Sequence, residues 1–301
     1  MNDSAPLVRL LTLEQLDEQR FRDPQLHLGT PWENQRTFGG QVMAQALVAA
    51  SHTVSLDRRC HSMHAYFLRP GSNSLPIDYH VEVTRDGNTF SQRRVTAHQH
   101  GKLMFTLTAS FHVSEPGLEH GDPIPSGVPA PEDCPSVADV LTDRFGEAAA
   151  RWIAWQGLDV RYIGDSSDSL PHGAHAAHMR VWARTSEPLP DDPRLHVALA
   201  AYLTDLTILS VAAVPHSVRI LSPEVQAASV DHAMWFHRSM RADRWLLHDQ
   251  ISPSASGALG FSNGRLFQDG QLKASVTQEG LIRQVGNVPD PGRTNPSTSF
   301  A

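Results

Sequence analysis

Three side chains in the second half of this chain are of types that can do chemistry together: Asp205, Ser229 and Gln278. A carboxylate accepts a proton, while a hydroxyl and a primary amide hold and orient a small polar molecule; these are the parts of general-base catalysis. Asp205 lies in LHVALAAYLTDLTILSVAAV, which is apolar on nearly every helical face. Such a helix must be buried, and a carboxylate within it needs a partner or a task. Gln278 interrupts an otherwise apolar strand face, where an unpaired amide costs about 1–3 kcal/mol. Ser229 stands on the strand expected after the helix, in ASVDHAMWFHR. Each residue also has an ordinary reading: a carboxylate satisfied for structure, an amide bonded to neighbouring backbone, a serine with no role. Their types alone name no substrate.

A repeat singles out Asp205 and Gln278. An apolar helix over residues 39–50 is followed by strand candidates at 62–68, 77–85, 91–99 and 103–113; a second helix over 194–214 is followed by candidates at 225–237, 245–252, 258–267 and 272–283. Short turns such as Asp86-Gly87-Asn88 and Gln268-Asp269-Gly270 make these antiparallel meanders. In the last strand of the first half, Leu103, Phe105, Leu107, Ala109, Phe111 and Val113 fall on one face. A shift of 169 turns them into Leu272, Ala274, Val276, Gln278, Gly280 and Ile282, and matches Gly101 with Gly270 and Thr108 with Thr277. Gln278 therefore replaces an alanine. The same shift carries Asp205 back to residues 36–44, which hold no carboxylate. The Pro- and Gly-rich stretch 114–136 reads as a linker, so the expected units are an N-terminal module (1–113), the linker, a C-terminal module with the candidate residues (137–286) and a disordered tail (287–301).

Composition bounds the rest. At 301 residues and 33.1 kDa the chain suits two modules. Lys+Arg 25 against Asp+Glu 32 gives −7, and the lysines are Lys102 and Lys273, which argues against nucleic acid or an anionic membrane as partner. Cys60 and Cys134 lie far apart without a CxxC pair; no disulfide framework is expected and a reducing compartment, the cytoplasm, fits. No basic segment precedes an apolar stretch at the start. The apolar run 197–214 carries Asp205 at its middle, worth about 2.5–3.5 kcal/mol against insertion, so no membrane span is expected. His172, His175 and His178 have metal-like spacing, but Pro171 and Gly173 interrupt the helix and there is no HExxH, so no metal is expected. GxGxxG and Walker A motifs are missing. Met234-Trp235-Phe236 reads as core.

Longer motifs add a resemblance. FGGQVMAQALVAA (38–50), HSMHAYFLRPG (61–71), RDGNTFSQRRV (85–95), TASFH (108–112), DHAMWFHR (231–238) and TQEG (277–280) together resemble the acyl-CoA thioesterase II, or TesB-like, family, in order from about residue 11 to 283. The resemblance implies an α+β double hotdog, two antiparallel sheets each wrapped around a long helix in one chain. It implies hydrolysis of acyl-CoA to free fatty acid and CoA by an oriented water, with catalytic Asp205, Ser229 (Thr in many members) and Gln278, and one site per chain. Gln278 and Ser229 would hold the water and Asp205 would take its proton. Backbone N–H groups at a helix start, in Phe38-Gly39-Gly40 or beside Asp205, are the candidates for the oxyanion. No cofactor is implied, CoA being part of the substrate; the implied acyl chains are medium to long, and the implied assembly is a homo-oligomer, dimer or tetramer. Two rivals remain. A hotdog enoyl-CoA hydratase would use a Gly-Asp followed by Pro and His, but Asp165 and His172 are too far apart in sequence for that pattern. A non-catalytic acyl-CoA-binding protein would keep the pocket and lose turnover.

Overall fold

The alternation that marks strand faces in the sequence persists in three dimensions. In the last strand of the first half, Phe105, Leu107, Ala109 and Phe111 are buried while Thr106, Thr108 and Ser110 between them are more open. The structure, a computed structural model, describes residues 5–24, 36–146, 157–167, 177–216, 220 and 224–285. The strands are β1 (Glu14–Gln15), β2 (Arg20–Arg22), β3 (Arg58–Phe67), β4 (Asp78–Asp86), β5 (Phe90–Gln99), β6 (Lys102–Val113), β7 (Leu158–Asp165), β8 (Ala177–Thr185), β9 (Val225–Ser229), β10 (Asp231–Phe236), β11 (Leu246–Ser256), β12 (Leu259–Gln268) and β13 (Gln271–Gln284). The helices are α1 (Pro6–Leu11), α2 (Gly39–His52), α3 (Val137–Phe145), α4 (Pro193–Thr204) and α5 (Ile208–Val211).

All pairings between these strands are antiparallel, and among the described residues the thirteen strands make one sheet in the order β1-β2-β4-β5-β6-β3-β10-β13-β12-β11-β8-β7, with β9 on β13. The expected pair of sheets is thus joined, because β3 and β10 hydrogen-bond to each other. The 169-residue shift is true to register: His64 opposite Thr108, Arg94 opposite Thr108 and His80 opposite Thr96 recur as Ala233 opposite Thr277, Asn263 opposite Thr277 and Asp249 opposite Arg265. At the seam His64 faces Ala233, its own counterpart, so a pseudo-two-fold axis passes between them.

Helices α2 and α4 fill the inner side. Both are rich in alanine, and Ala44, Ala46, Ala49, Ala50, Ala198, Ala200 and Ala201 are buried at or near zero exposure, since small side chains let two buried helices approach closely. They run antiparallel: the end of α4 meets Gly40 at the start of α2, and His52 at the end of α2 senses Asp192 and Arg194 at the start of α4. The segment Pro193–His216 is long and apolar enough to cross a bilayer by length and composition, yet 67% of its most apolar window is buried in this fold.

Several boundaries differ from the sequence reading. The helix over 194–214 is interrupted at Asp205–Thr207, and the strand over 225–237 is divided at Val230, whose carbonyl accepts the Phe67 N–H while its own N–H goes to Glu279 O. The elements α1, β1, β2, α3, β7 and β8 have no counterpart in that reading. Met234 and Phe236 join the core but Trp235 turns outward at 37% exposure. Residues 114–136 cross the outer face of the second half, where Arg238 donates to His120 O, Arg265 pairs with Asp122 and Trp182 donates to Pro129 O. The expected tail 287–301, and with it His172 and His175, lies outside the described residues. His178 is on β8 and pairs with Asp249 at 2.8 Å.

Candidate active site

The interruption after α4 is what delivers a carboxylate to the interior. Asp205 is the C-cap of α4, and its side chain is turned inward at 2% exposure. A helix C-terminus disfavours an anion, so compensation must come from elsewhere. Phe38 precedes α2 without a side-chain cap and its carbonyl takes the Gln41 and Val42 N–H groups, while the Gly40 N–H faces Asp205 and favours its charged form. The carboxylate thus caps the neighbouring helix from the opposite half. Two glycines permit it: a Cβ on Gly39 would lie 3.0 Å from Asp205 Oδ2, and one on Gly40 would lie 3.0 Å from Tyr202 O.

Around Asp205 the sheet contributes a hydrogen-bonded chain. Ser229, the last residue of β9, donates its hydroxyl to Asp205 Oδ1 at 3.1 Å and accepts a Gln278 Nε2–H at 2.9 Å. Gln278 also favours the charged form of Asp205. Register explains the meeting: Ser229 is opposite Gly280 on β13, two residues from Gln278 on the same face. A Cβ on Gly280 would reach 2.5 Å from Leu209, so glycine there lets α5 close against the sheet. On the far side of Gln278, the Oε1 atom lies 2.6 Å from His232 Nδ1. His232 Nε2 is 3.1 Å from Thr204 Oγ1, on the residue that precedes Asp205.

Electrostatics follow from burial. Removal from water pushes the Asp205 carboxyl up to about 7, against the pull of Ser229, Gly40 and Gln278, which favour the charged form. Burial pushes His232 down to about 4, leaving a neutral imidazole at pH 7. A carboxylate of that basicity, in contact with a hydroxyl and an amide, can take a proton from a small bound nucleophile.

The sequence reading named Asp205, Ser229 and Gln278, and the structure links the three side chains by hydrogen bonds through Ser229. It named Gly40 only within Phe38-Gly39-Gly40, as a candidate for the oxyanion rather than as a neighbour of the carboxylate, and it did not single out Thr204 or His232. The repeat contained a signal for the last: 169 residues before His232 stands Met63, so a buried imidazole replaces a buried thioether just as Gln278 replaces Ala109. The counterpart of Asp205 also needs correction. Loops between helix and strands differ in length, so the shift of 169 does not carry over to the helices; α2 has Thr53 as its C-cap where α4 has Asp205. In the first half the equivalent space holds Arg93, at 2% exposure, which donates to Thr53 Oγ1 at 2.8 Å and to Thr53 O at 3.0 Å and pairs with Asp86 at 2.9 Å. Asp165, in the hydratase-like segment, accepts from Tyr162 Oη at 2.7 Å and from the Ser167 N–H at 2.8 Å.

Known proteins match this chain along most of its length. The family model described as acyl-CoA thioesterase matches residues 165–281, and that of the acyl-CoA thioesterase N-terminal domain matches 28–112. Acyl-CoA thioesterase 2 of Haemophilus influenzae is 38% identical over 289 residues, covering 92% of this chain and 96% of that protein. Acyl-coenzyme A thioesterase 8 of Homo sapiens is 38% identical over 293 residues, covering 93% and 89%. Among solved structures, the acyl-CoA thioesterase II TesB2 from Mycobacterium marinum is 40% identical with a TM-score of 0.78, covering 94% of this chain and all of that one. A protein with a hot dog fold from Alicyclobacillus acidocaldarius, 23% identical over 93% of this chain and 98% of that one with a TM-score of 0.74, is similar in fold.

Proposed function

The chain belongs to the acyl-CoA thioesterase family and hydrolyses acyl-CoA thioesters, and we propose that it does so with a water activated by Asp205, Ser229 and Gln278. Ser229 and Gln278 hold the water against the thioester carbonyl. Asp205 takes its proton as the oxygen attacks the carbonyl carbon, the C–S bond breaks, and the proton held by Asp205 passes to the departing sulfur, giving the free acid and the thiol of CoA and restoring the carboxylate. Thiols have a pKa near 8.5, so the leaving group needs no strong acid, and no covalent acyl-enzyme forms. N–H groups at the start of α2 not engaged by Asp205, or those beside Asp205, stabilise the oxyanion. The observation that carries this reading is the contact of carboxylate, hydroxyl and amide at 3.1 and 2.9 Å around a carboxyl pushed up to about 7.

No cofactor takes part in this scheme, CoA being part of the substrate. The two strand sets that meet at β3 and β10, each with its own central helix, form a double hotdog. The substrate carries a medium to long acyl chain, and the protein works as a cytoplasmic homo-oligomer, dimer or tetramer. Thiol release from acyl-CoA by Asp205→Asn, Ser229→Ala and Gln278→Ala tests the site. Each should keep the wild-type circular dichroism spectrum, and kcat should fall on the order of 10²–10⁴-fold for the first and third and about tenfold or more for the second. Wild-type turnover in all three would remove the assignment.

A further inference from the structure

We propose that His232 is a positioning residue for the reaction, holding Gln278 in the one amide orientation that turns Nε2 toward Ser229 and Asp205, and that Thr204 sets its tautomer. This rests on the site assignment above. The two ends of a carboxamide have nearly the same shape, so their neighbours decide which way it points. Beside Asp205 only the N–H end is attractive, which sends Oε1 to His232 Nδ1, 2.6 Å away. Oε1 can only accept, so Nδ1 carries the hydrogen. A neutral imidazole then has a bare Nε2, and Thr204 Oγ1, within reach of both Ala201 O at 2.8 Å and Nε2 at 3.1 Å, directs its proton to the ring. The donors run in one sense, from Thr204 through His232, Gln278 and Ser229 to Asp205, and the peptide bond between Thr204 and Asp205 closes the ring. His232 and Gln278 are wholly buried, so water does not substitute for either partner.

The groups facing Asp205 are few. His232 of β10 stands 3.9 Å away with His248 of β11 behind it, and Tyr202 lies on the same helix; among the described residues β9, β13 and α2 add Ser229, Gln278 and the Gly40 N–H. If Gln278 turns, the carboxylate loses the N–H end of the amide beside it and its proton affinity rises.

The test measures kcat, KM and the pH profile of thiol release for His232→Leu, His232→Asn, Thr204→Val and Thr204→Ser. His232→Leu should lower kcat about 10–100-fold with KM within about twofold and move the acid limb to higher pH. His232→Asn, whose amide N–H takes the place of Nδ1–H, should recover most of kcat, and Thr204→Ser should exceed Thr204→Val. Long-range ¹H–¹⁵N spectra of the wild type at pH 8 should show His232 protonated on Nδ1 alone. A wild-type rate and acid limb in His232→Leu, an Asn variant no better than Leu, or an Nε2–H tautomer overturns the proposal. If His232→Leu does not fold, the Thr204 pair and the tautomer decide. Full activity in Asp205→Asn, Ser229→Ala and Gln278→Ala fails the site itself; slow triad variants beside wild-type His232→Leu and Thr204→Val fail only the positioning role.

Discussion

A single buried carboxyl links activity to stability here with opposite signs. As the proposed base, Asp205 works only when ionised, so kcat/KM for thiol release should rise with pH through about 7 and level off above it. In the unfolded chain the same group ionises near 3.9. The folded state therefore holds the proton more tightly, and the stability this contributes is complete below about 3.9 and lost as pH climbs through about 7. Each tenfold difference in proton affinity between the two states is worth about 1.4 kcal/mol. Replacing Asp205 by Asn should consequently stabilise the protein at pH 8 by up to a few kcal/mol, with little gain at pH 4. Urea titrations of both forms at the two pH values check this. At this scale the sequence was readable wherever the two halves could be superposed. Gln278 against Ala109 was visible, and His232 against Met63 was equally available one strand away. Thr204 was not, because its part depends on a hydrogen-bond direction that no pattern of apolar positions encodes.

Helices and strands bring those residues together through close approach. Gly40 is within the first turn of α2, where alanine would gain up to about 1 kcal/mol in helix propensity. Against this, a Cβ would sit 2.5 Å from the Phe38 ring and 3.0 Å from Tyr202 O, an overlap with partly rigid neighbours worth about 1–3 kcal/mol. The clash wins. Gly40→Ala should lower thermal stability and, by moving the N–H away from Asp205, slow turnover; calorimetry and thiol release on one preparation measure both. The β3, β4, β5 and β6 set and its repeat were legible because period-two burial and Gly-containing turns mark them. The division of 225–237 at Val230 was not, since backbone pairing to Phe67 and Glu279 decides it. Nor were β7 and β8, which precede their helix, while the short β1 and β2 hold their places in the first half.

Across the molecule, the internal repeat sets up two equivalent corners with different contents. One holds the Asp205 chain and the other is closed by Arg93. Removing a buried ion-pair partner costs about 3–5 kcal/mol, but Asp86 is 53% exposed and water can reclaim it, so Arg93→Ala should cost less, about 2–3 kcal/mol, and leave kcat unchanged. A loss of turnover equal to that of Asp205→Asn would show that the first half holds working chemistry after all. The continuous sheet and the Gly40–Asp205 contact tie the halves into one unit, so tryptophan fluorescence and enzymatic activity should be lost at the same urea concentration. The join between the halves is isologous in miniature, since position 64 meets its own copy at position 233. Substitutions at those two sites perturb a shared neighbourhood, and a double-mutant cycle across them will give a sizeable interaction energy. Counterparts removed from the axis, such as Arg93 and Ser262, will behave additively. The pseudo-two-fold symmetry of the halves is thereby written into which pairs of mutations know about each other.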